Sequence, residues 1–209
     1  MSATTTDDIE KGVASRRLAA LAEHAAAAGS IDLGEMIDVM GRAGIAFVIL
    51  ALSLPALCPI PGPFGMVFGT CLALVSLQII VGYEKVWLPR LIRRRRVSAG
   101  TIALIVRHTA PLVSRVEAWL KPNRMRSLTG RRAHMLLGIP VFLLAVIVAL
   151  PIPFGNILPV LALTVIAVSL MERDGFATII GLGLAGLAVI VTAALLYGTV
   201  FAAGWALGA

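Results

Sequence analysis

The sequence predicts an all-α integral membrane protein built around two copies of a helical hairpin with a Pro/Gly tip. Three observations carry this. The 209 residues are 59% hydrophobic and 14% charged, with a mean hydropathy of +0.95, outside the range of an ordinary soluble domain. An apolar stretch with a proline-rich tip is written twice, at Pro59-Ile60-Pro61-Gly62-Pro63-Phe64-Gly65 and at Pro151-Ile152-Pro153-Phe154-Gly155-Asn156. Thirteen of the 18 Lys and Arg fall between Tyr83 and Leu136, where Glu84 and Glu117 are the acids. Short loops this rich in Lys and Arg stay in the cytoplasm.

Taken in order, residues 1–30 read as an N-terminal cytoplasmic tail. They hold Asp7, Asp8 and Glu10 and lack the apolar run of a cleaved signal. Residues 1–15 look disordered, and Arg16–Ala28 is an alanine-rich helix ending near Gly29. Residues 31–43 form an amphipathic surface helix over Leu33–Met40. Asp32 is its N-cap, Glu35 sits in the capping-box position, and Leu33, Met36, Ile37 and Met40 repeat at helical spacing.

The first hairpin repeat is residues 44–82, with arms Gly44–Cys58 and Met66–Gly82. The second is residues 137–172, with arms Leu137–Leu150 and Ile157–Met171. At 1.5 Å per residue the arms measure roughly 21–25 Å. A full crossing needs about 20 residues and roughly 30 Å. Two geometries fit: short spanning helices joined at the far surface, or a re-entrant hairpin that stops inside the bilayer. The tips carry no charge, which favours the re-entrant form. Irregular backbone at that depth must be received by protein or by a wet cavity. Aligning Gly44 with Gly138 and Gly82 with Gly175 places Leu77 on Leu170 and Tyr83 on Phe176.

Between the copies, residues 83–136 make a basic cytoplasmic connector. Inverted copies would require a membrane crossing there. Arg107, Arg115 and Glu117 argue against one, since each charge costs about 2.5–3.5 kcal/mol at a helix centre, and Pro111 argues against it too. Both hairpins are expected to enter from the cytoplasm as parallel repeats. Val97–Leu120 is read as surface helices broken at Pro111, with Ile102, Ile105, Val113, Val116, Trp119 and Leu120 toward lipid. Trp87 and Trp119 are the interfacial anchors. Residues 173–209 are the C-terminal transmembrane segment. Phe176 to Tyr197 is long enough to span, and Gly198–Ala209 either lengthens that helix or starts another.

The candidate site lies where the tips meet. A helix starts just after the prolines in each copy, and a helix N-terminus carries roughly half a positive charge. The residues are Pro61, Gly62, Gly65, Pro153, Gly155 and Asn156, with Gln78, the only amide in the first hairpin's arms, which fits equally near the headgroups, four residues from Gly82. Asn156 is placed to cap the second of these helices. An anionic substrate suits such a site, against the plainer reading of two tight turns. Arg93, Arg94, Arg95 and Arg96 are assigned to anionic lipid headgroups, at about 1 kcal/mol per basic residue. A basic run pinned between membrane segments is a poor fit to nucleic acid. Gly65 and Gly69 form a small-xxx-small pair suited to close helix packing.

Other patterns carry less. Gly181, Gly183 and Gly186 match a dinucleotide string but lie in an apolar helix with no βαβ unit, so no nucleotide cofactor is expected. Cys58 and Cys71 lack metal-ligand spacing and read as small buried hydrophobes. His24, His108 and His134 fall in separate segments. No catalytic constellation and no metal set is visible, so the chain is not read as an enzyme. Glu172-Arg173-Asp174 reads as a solvated turn that caps the next helix, in preference to a charged gate.

A resemblance adds to this. Leu33-Gly34-Glu35, the tip at Pro59 to Gly62, and Gly82 followed by Trp87-Leu88-Pro89 resemble the ExoD family of exopolysaccharide-synthesis membrane proteins. So do the string Leu150 to Pro159 and Glu172-Arg173-Asp174-Gly175. The likeness covers Leu33 to Tyr197. It implies a multi-pass protein of the bacterial inner (plasma) membrane linked to exopolysaccharide production, and it supplies no catalytic residue set. One departure is Leu57-Cys58 before the first tip. Two functions follow, ahead of a third, a membrane enzyme acting on a lipid-linked sugar, for which no acid, base or metal set is visible. The first is a transport-type protein with its site between the tips. The second is a non-transporting assembly or regulatory protein of the polysaccharide machinery, docked through its basic loop. A homodimer is expected, because so short a chain has few other elements to cover two re-entrant tips.

Overall fold

The computed structural model describes residues 13–57, 64–83, 85–118, 131–150 and 155–206. Its helices are α1 (Val13–Ala28), α2 (Leu33–Met40), α3 (Gly44–Ser53), α4 (Phe64–Val81), α5 (Arg90–Arg93), α6 (Ala99–Glu117), α7 (Arg131–Ala149), α8 (Ile157–Glu172) and α9 (Gly175–Ala206). A 3₁₀ turn, Leu54–Leu57, extends α3 toward the first tip. Two short strands, β1 (Ser30–Asp32) and β2 (Arg96–Ser98), pair antiparallel with Ile31 opposite Val97. The all-helical expectation holds, with this ribbon as its one addition among the described residues.

The hairpins α3–α4 and α7–α8 interlock. α4 packs along α7, and α3 packs along α8, so each hairpin pairs crosswise with the other. Glycines set how close they come. A Cβ on Gly69 would lie 2.5 Å from the Ala149 nitrogen, and one on Gly138 would lie 2.8 Å from the Ile80 nitrogen. These contacts run antiparallel along α4 and α7, which puts both tips at one end and both hairpin bases at the other. That is the parallel arrangement expected from the charges in the connector. The core between the four helices includes Phe47, Leu50, Leu72, Leu144 and Leu163, each at most 1% exposed.

Both hairpins also leave their last helix in the same way. Gly82 (φ 93) and Arg173 (φ 55) take the left-handed conformation. In each case the next residue's N–H reaches back five positions, from Tyr83 to Gln78 and from Asp174 to Ser169. This Schellman closure satisfies the last carbonyls of a helix. It equates Gly82 with Arg173, two positions away from the sequence alignment on Gly175. A backbone motif tolerates Gly or Arg at that point, so residue identity alone misplaces the register.

Several expectations change. The helix expected over Arg16–Ala28 is present but starts at Val13, inside the stretch read as disordered, and it is packed: Ala14, Leu18, Leu21 and Ala25 are buried, and α1 packs on α6 and α8. α6 runs unbroken through Pro111. The missing N–H leaves the Arg107 carbonyl without its helical partner, but both residues are on the exposed side of α6. Packing on the other side offsets the proline cost of about 3 kcal/mol. That side includes Ile102 and Val113, which are buried inside the protein rather than turned to lipid. Trp119, Leu120 and Cys58 lie outside the described residues, and Cys71 is exposed. α9 continues to Ala206, so the tail lengthens the helix. Within it, Gly175–Phe201 is long and apolar enough to cross a membrane; among the described residues the other apolar helices are shorter.

Candidate functional site

The two tips meet through Gly65 and Asn156. A Cβ on Gly65 would lie 2.8 Å from the Val148 carbonyl oxygen and 3.0 Å from Asn156 Nδ2. Only glycine lets the start of α4 come this close to the second hairpin. Asn156 stands at the N-cap position of α8, but its side chain caps nothing there. Instead Nδ2 donates across to the Ala56 carbonyl at 3.4 Å, in the turn that ends the first hairpin's first arm. Its Oδ1 is buried and has no hydrogen-bond partner among the described residues. A buried acceptor left unpaired costs about 1–3 kcal/mol.

The remaining sequence candidates divide. Gly155 is buried beside Asn156. Pro61, Gly62 and Pro153 lie outside the described residues. Gln78 is not at the tips. It sits at the base end of α4, where Oε1 accepts from the Trp87 N–H at 2.7 Å and Nε2 donates to the Trp87 carbonyl at 3.2 Å. The amide mimics a strand partner and pins the start of the connector. Tip and base are separated by most of an 18-residue helix, so the two roles exclude each other.

Arg93 to Arg96 also fold back onto the protein. Arg93 pairs with Asp38 at 2.9 Å and Arg96 with Asp32 at 3.6 Å. The Arg95 carbonyl accepts from the Leu33 N–H, and the Gly29 carbonyl accepts from the Ala99 N–H, which ties the connector to the surface helix. All four side chains remain exposed. Nearby, His24 Nε2 lies 2.8 Å from Glu35 Oε1. That hydrogen bond is the main reason the Glu35 carboxyl ionises below its ordinary value.

Sequence reasoning underrated one cluster. Glu172 and Asp174 are 4% and 1% exposed, so the two acids of the turn are buried while Arg173 between them stays exposed. Asp174 Oδ1 accepts from the Phe176 and Ala177 N–H groups and caps α9, as expected. Glu172 accepts from the Ala14 N–H at 2.8 Å, and Glu117 accepts from the Ser15 N–H and hydroxyl. Two carboxylates thus close the N-terminus of α1, which favours negative charge. The acids of Glu-Arg-Asp-Gly were visible, but their partner 158 residues away was not. Among the described residues no His, Cys, Asp and Glu gather as a metal site.

The sequence matches known proteins over most of its length. The family model described as "Exopolysaccharide synthesis, ExoD" matches residues 14–194. Protein ExoD of Rhizobium meliloti is 30% identical over 151 residues, covering 70% of this chain and 62% of that protein. An uncharacterized protein of Synechocystis is 29% identical over 150 residues, covering 71% of each chain. No solved structure matches.

Proposed function

We propose a function from one premise: the chain belongs to the ExoD family of exopolysaccharide-synthesis proteins. It is a multi-pass protein of the bacterial inner membrane, of transport type, with its site where the two hairpin tips meet. The apolar surface supports membrane insertion. Leu74 and Val81 on α4, Leu136 and Leu143 on α7, and Ile190 and Val200 on α9 are each 49–71% exposed, which suits contact with lipid. The interlocked hairpins support re-entrance, because each supplies protein cover for the other. The Lys and Arg excess of residues 83–136 orients the base end, and with it the N-terminus, toward the cytoplasm.

One observation carries the site: the buried, unpartnered Oδ1 of Asn156 at the junction of both hairpins. It asks for a hydrogen-bond donor. The N-termini of α4 and α8, which start at the tips, ask for negative charge. A hydroxyl-bearing anion satisfies both. Proteoliposomes offered glucuronate test this. Asn156→Leu removes the acceptor and should cut flux about tenfold, the worth of one buried hydrogen bond, and Gly155→Leu, which puts a side chain into that buried junction, should cut it at least as far. Undiminished flux in both variants takes the tips out of the mechanism.

The exposed Arg94 and Arg95 favour a second reading, in which the basic face docks anionic lipid or a component of the polysaccharide machinery without transport. Neutralising Arg93 to Arg96 separates the two readings: it should abolish docking, and it should leave glucuronate flux intact if the tips transport. A homodimer that shields the two tips fits either reading. Light scattering in mild detergent checks it, with a monomer as the contrary result.

A further inference from the structure

At the base end, far from the tips, the connector folds over α2 and leaves a cleft of about 660 Å³. One wall is Asp32, Gly34, Glu35 and Asp38; the other is Arg90, Arg93 and Arg94. A second cleft of about 390 Å³ adjoins it, sharing Gly34, Asp38, Arg90 and Arg93 and adding Tyr83, Lys85 and Trp87. The strings Leu33-Gly34-Glu35 and Trp87-Leu88-Pro89 both contribute to these walls.

The cleft is built rather than left over. Arg93 crosses α2 over Gly34, where a Cβ would lie 2.4 Å from its Cγ. Its guanidinium then meets Asp38 at 2.9 Å. Arg93 is thereby engaged. Arg90 and Arg94 are one helical turn apart, with the Arg94 N–H donating to the Arg90 carbonyl at 3.3 Å, so they share a face. Both line the cleft, and no ion pair is shown for either among the described residues. Two guanidiniums lining one concave site suit the planar, bidentate recognition of phosphate. A bare anion, however, would be repelled by Asp32, Glu35 and Asp38. Those carboxylates are acceptors, and each has lone pairs beyond the one bond to Arg or His. They suit hydroxyl groups. Trp87 and Tyr83, 62% and 49% exposed, offer flat apolar faces beside them.

We propose that this cleft binds a phosphate ester of a sugar, with Arg90 and Arg94 on the phosphate and Asp38 and Glu35 on the sugar hydroxyls. The ester is either soluble or the headgroup of a prenyl-linked sugar in the membrane. This site is separate from the tips, and the proposal stands whether or not the tips transport.

Calorimetry on the full chain in detergent tests it with glucose 1-phosphate, inorganic phosphate and geranyl phosphoglucose. Glucose 1-phosphate should bind more tightly than inorganic phosphate. Arg90→Gln and Arg94→Gln should each weaken binding about tenfold, and Arg90→Lys by several-fold, because ammonium loses the bidentate fork. Asp38→Asn should keep phosphate binding and lose the preference for the sugar. Arg115→Gln, on the exposed side of α6, controls for net charge and should change nothing. Tighter binding of the geranyl ester than of glucose 1-phosphate assigns the ligand to the membrane; equal binding assigns it to solution. Three results overturn the proposal: no binding of either ester, no preference over inorganic phosphate, or equal weakening by Arg115→Gln. Folding of each variant is checked by thermal unfolding, and Arg90→Lys keeps the question open to test if Arg90→Gln unfolds.

Discussion

Gly69 has no room for a side chain, since Ala149 and Ala145 backbone atoms lie within 2.8 Å of where its Cβ would be. Gly69→Leu should lower stability by about 1–3 kcal/mol, because backbone cannot yield as a side chain can. Gly183→Leu, with nothing within 4 Å, should leave stability unchanged. Thermal unfolding in detergent separates the two. A second residue-scale effect concerns pH. Glu35 is held below its ordinary value, chiefly by the His24 hydrogen bond. Its folded pKa is depressed, so its stabilising contribution is complete above the unfolded value of 4.5 and is lost as pH falls through the lower folded value. His24→Ala should therefore move the Glu35 titration upward, toward that ordinary value, in side-chain NMR. An unmoved titration contradicts the assignment.

Among elements, α9 depends on its first turn. Asp174 provides its cap through the Phe176 and Ala177 N–H groups. Asp174→Ala should cost about 1–2 kcal/mol, with hydrogen exchange accelerated first at Phe176 and Ala177. The N-terminus of α1 depends instead on acids from α6 and α8. Glu172→Leu strands the Ala14 N–H in a buried site, and α1 should lose exchange protection while α4 and α7 keep theirs. If α1 stays protected, the carboxylate does not anchor it. α6 shows the same lesson from the other side: a proline that ends a helix in isolation is tolerated once one face is packed.

In the whole molecule, crosswise pairing of the hairpins puts tips and bases at opposite ends. With Cys58 and Cys71 replaced by alanine, Arg173→Cys at the base should react with an impermeant maleimide from the cytoplasmic side. Ile157→Cys, at the tip end and 51% exposed, should be protected from both sides by lipid. Rapid labelling of Ile157→Cys from the periplasm would show that the hairpins cross fully, and labelling of Arg173→Cys from that side would reverse the orientation.

Periodicity, tip chemistry and charge placement were enough to read the helical class, both hairpins and the helix over Leu33–Met40, while the family was read from the resemblance of particular strings such as Glu172-Arg173-Asp174-Gly175. These are local properties, legible because apolar runs, Pro and Gly act on their own neighbours. Tertiary structure alone decided that Gln78 serves the base rather than the tips, that Val13–Ala28 is packed, and that Glu172 is buried. It also decided that the arginine run folds back on Asp32 and Asp38. Each of these depends on a partner far away in the chain, and the free energy of a polar group depends on which partner the fold brings within hydrogen-bond reach.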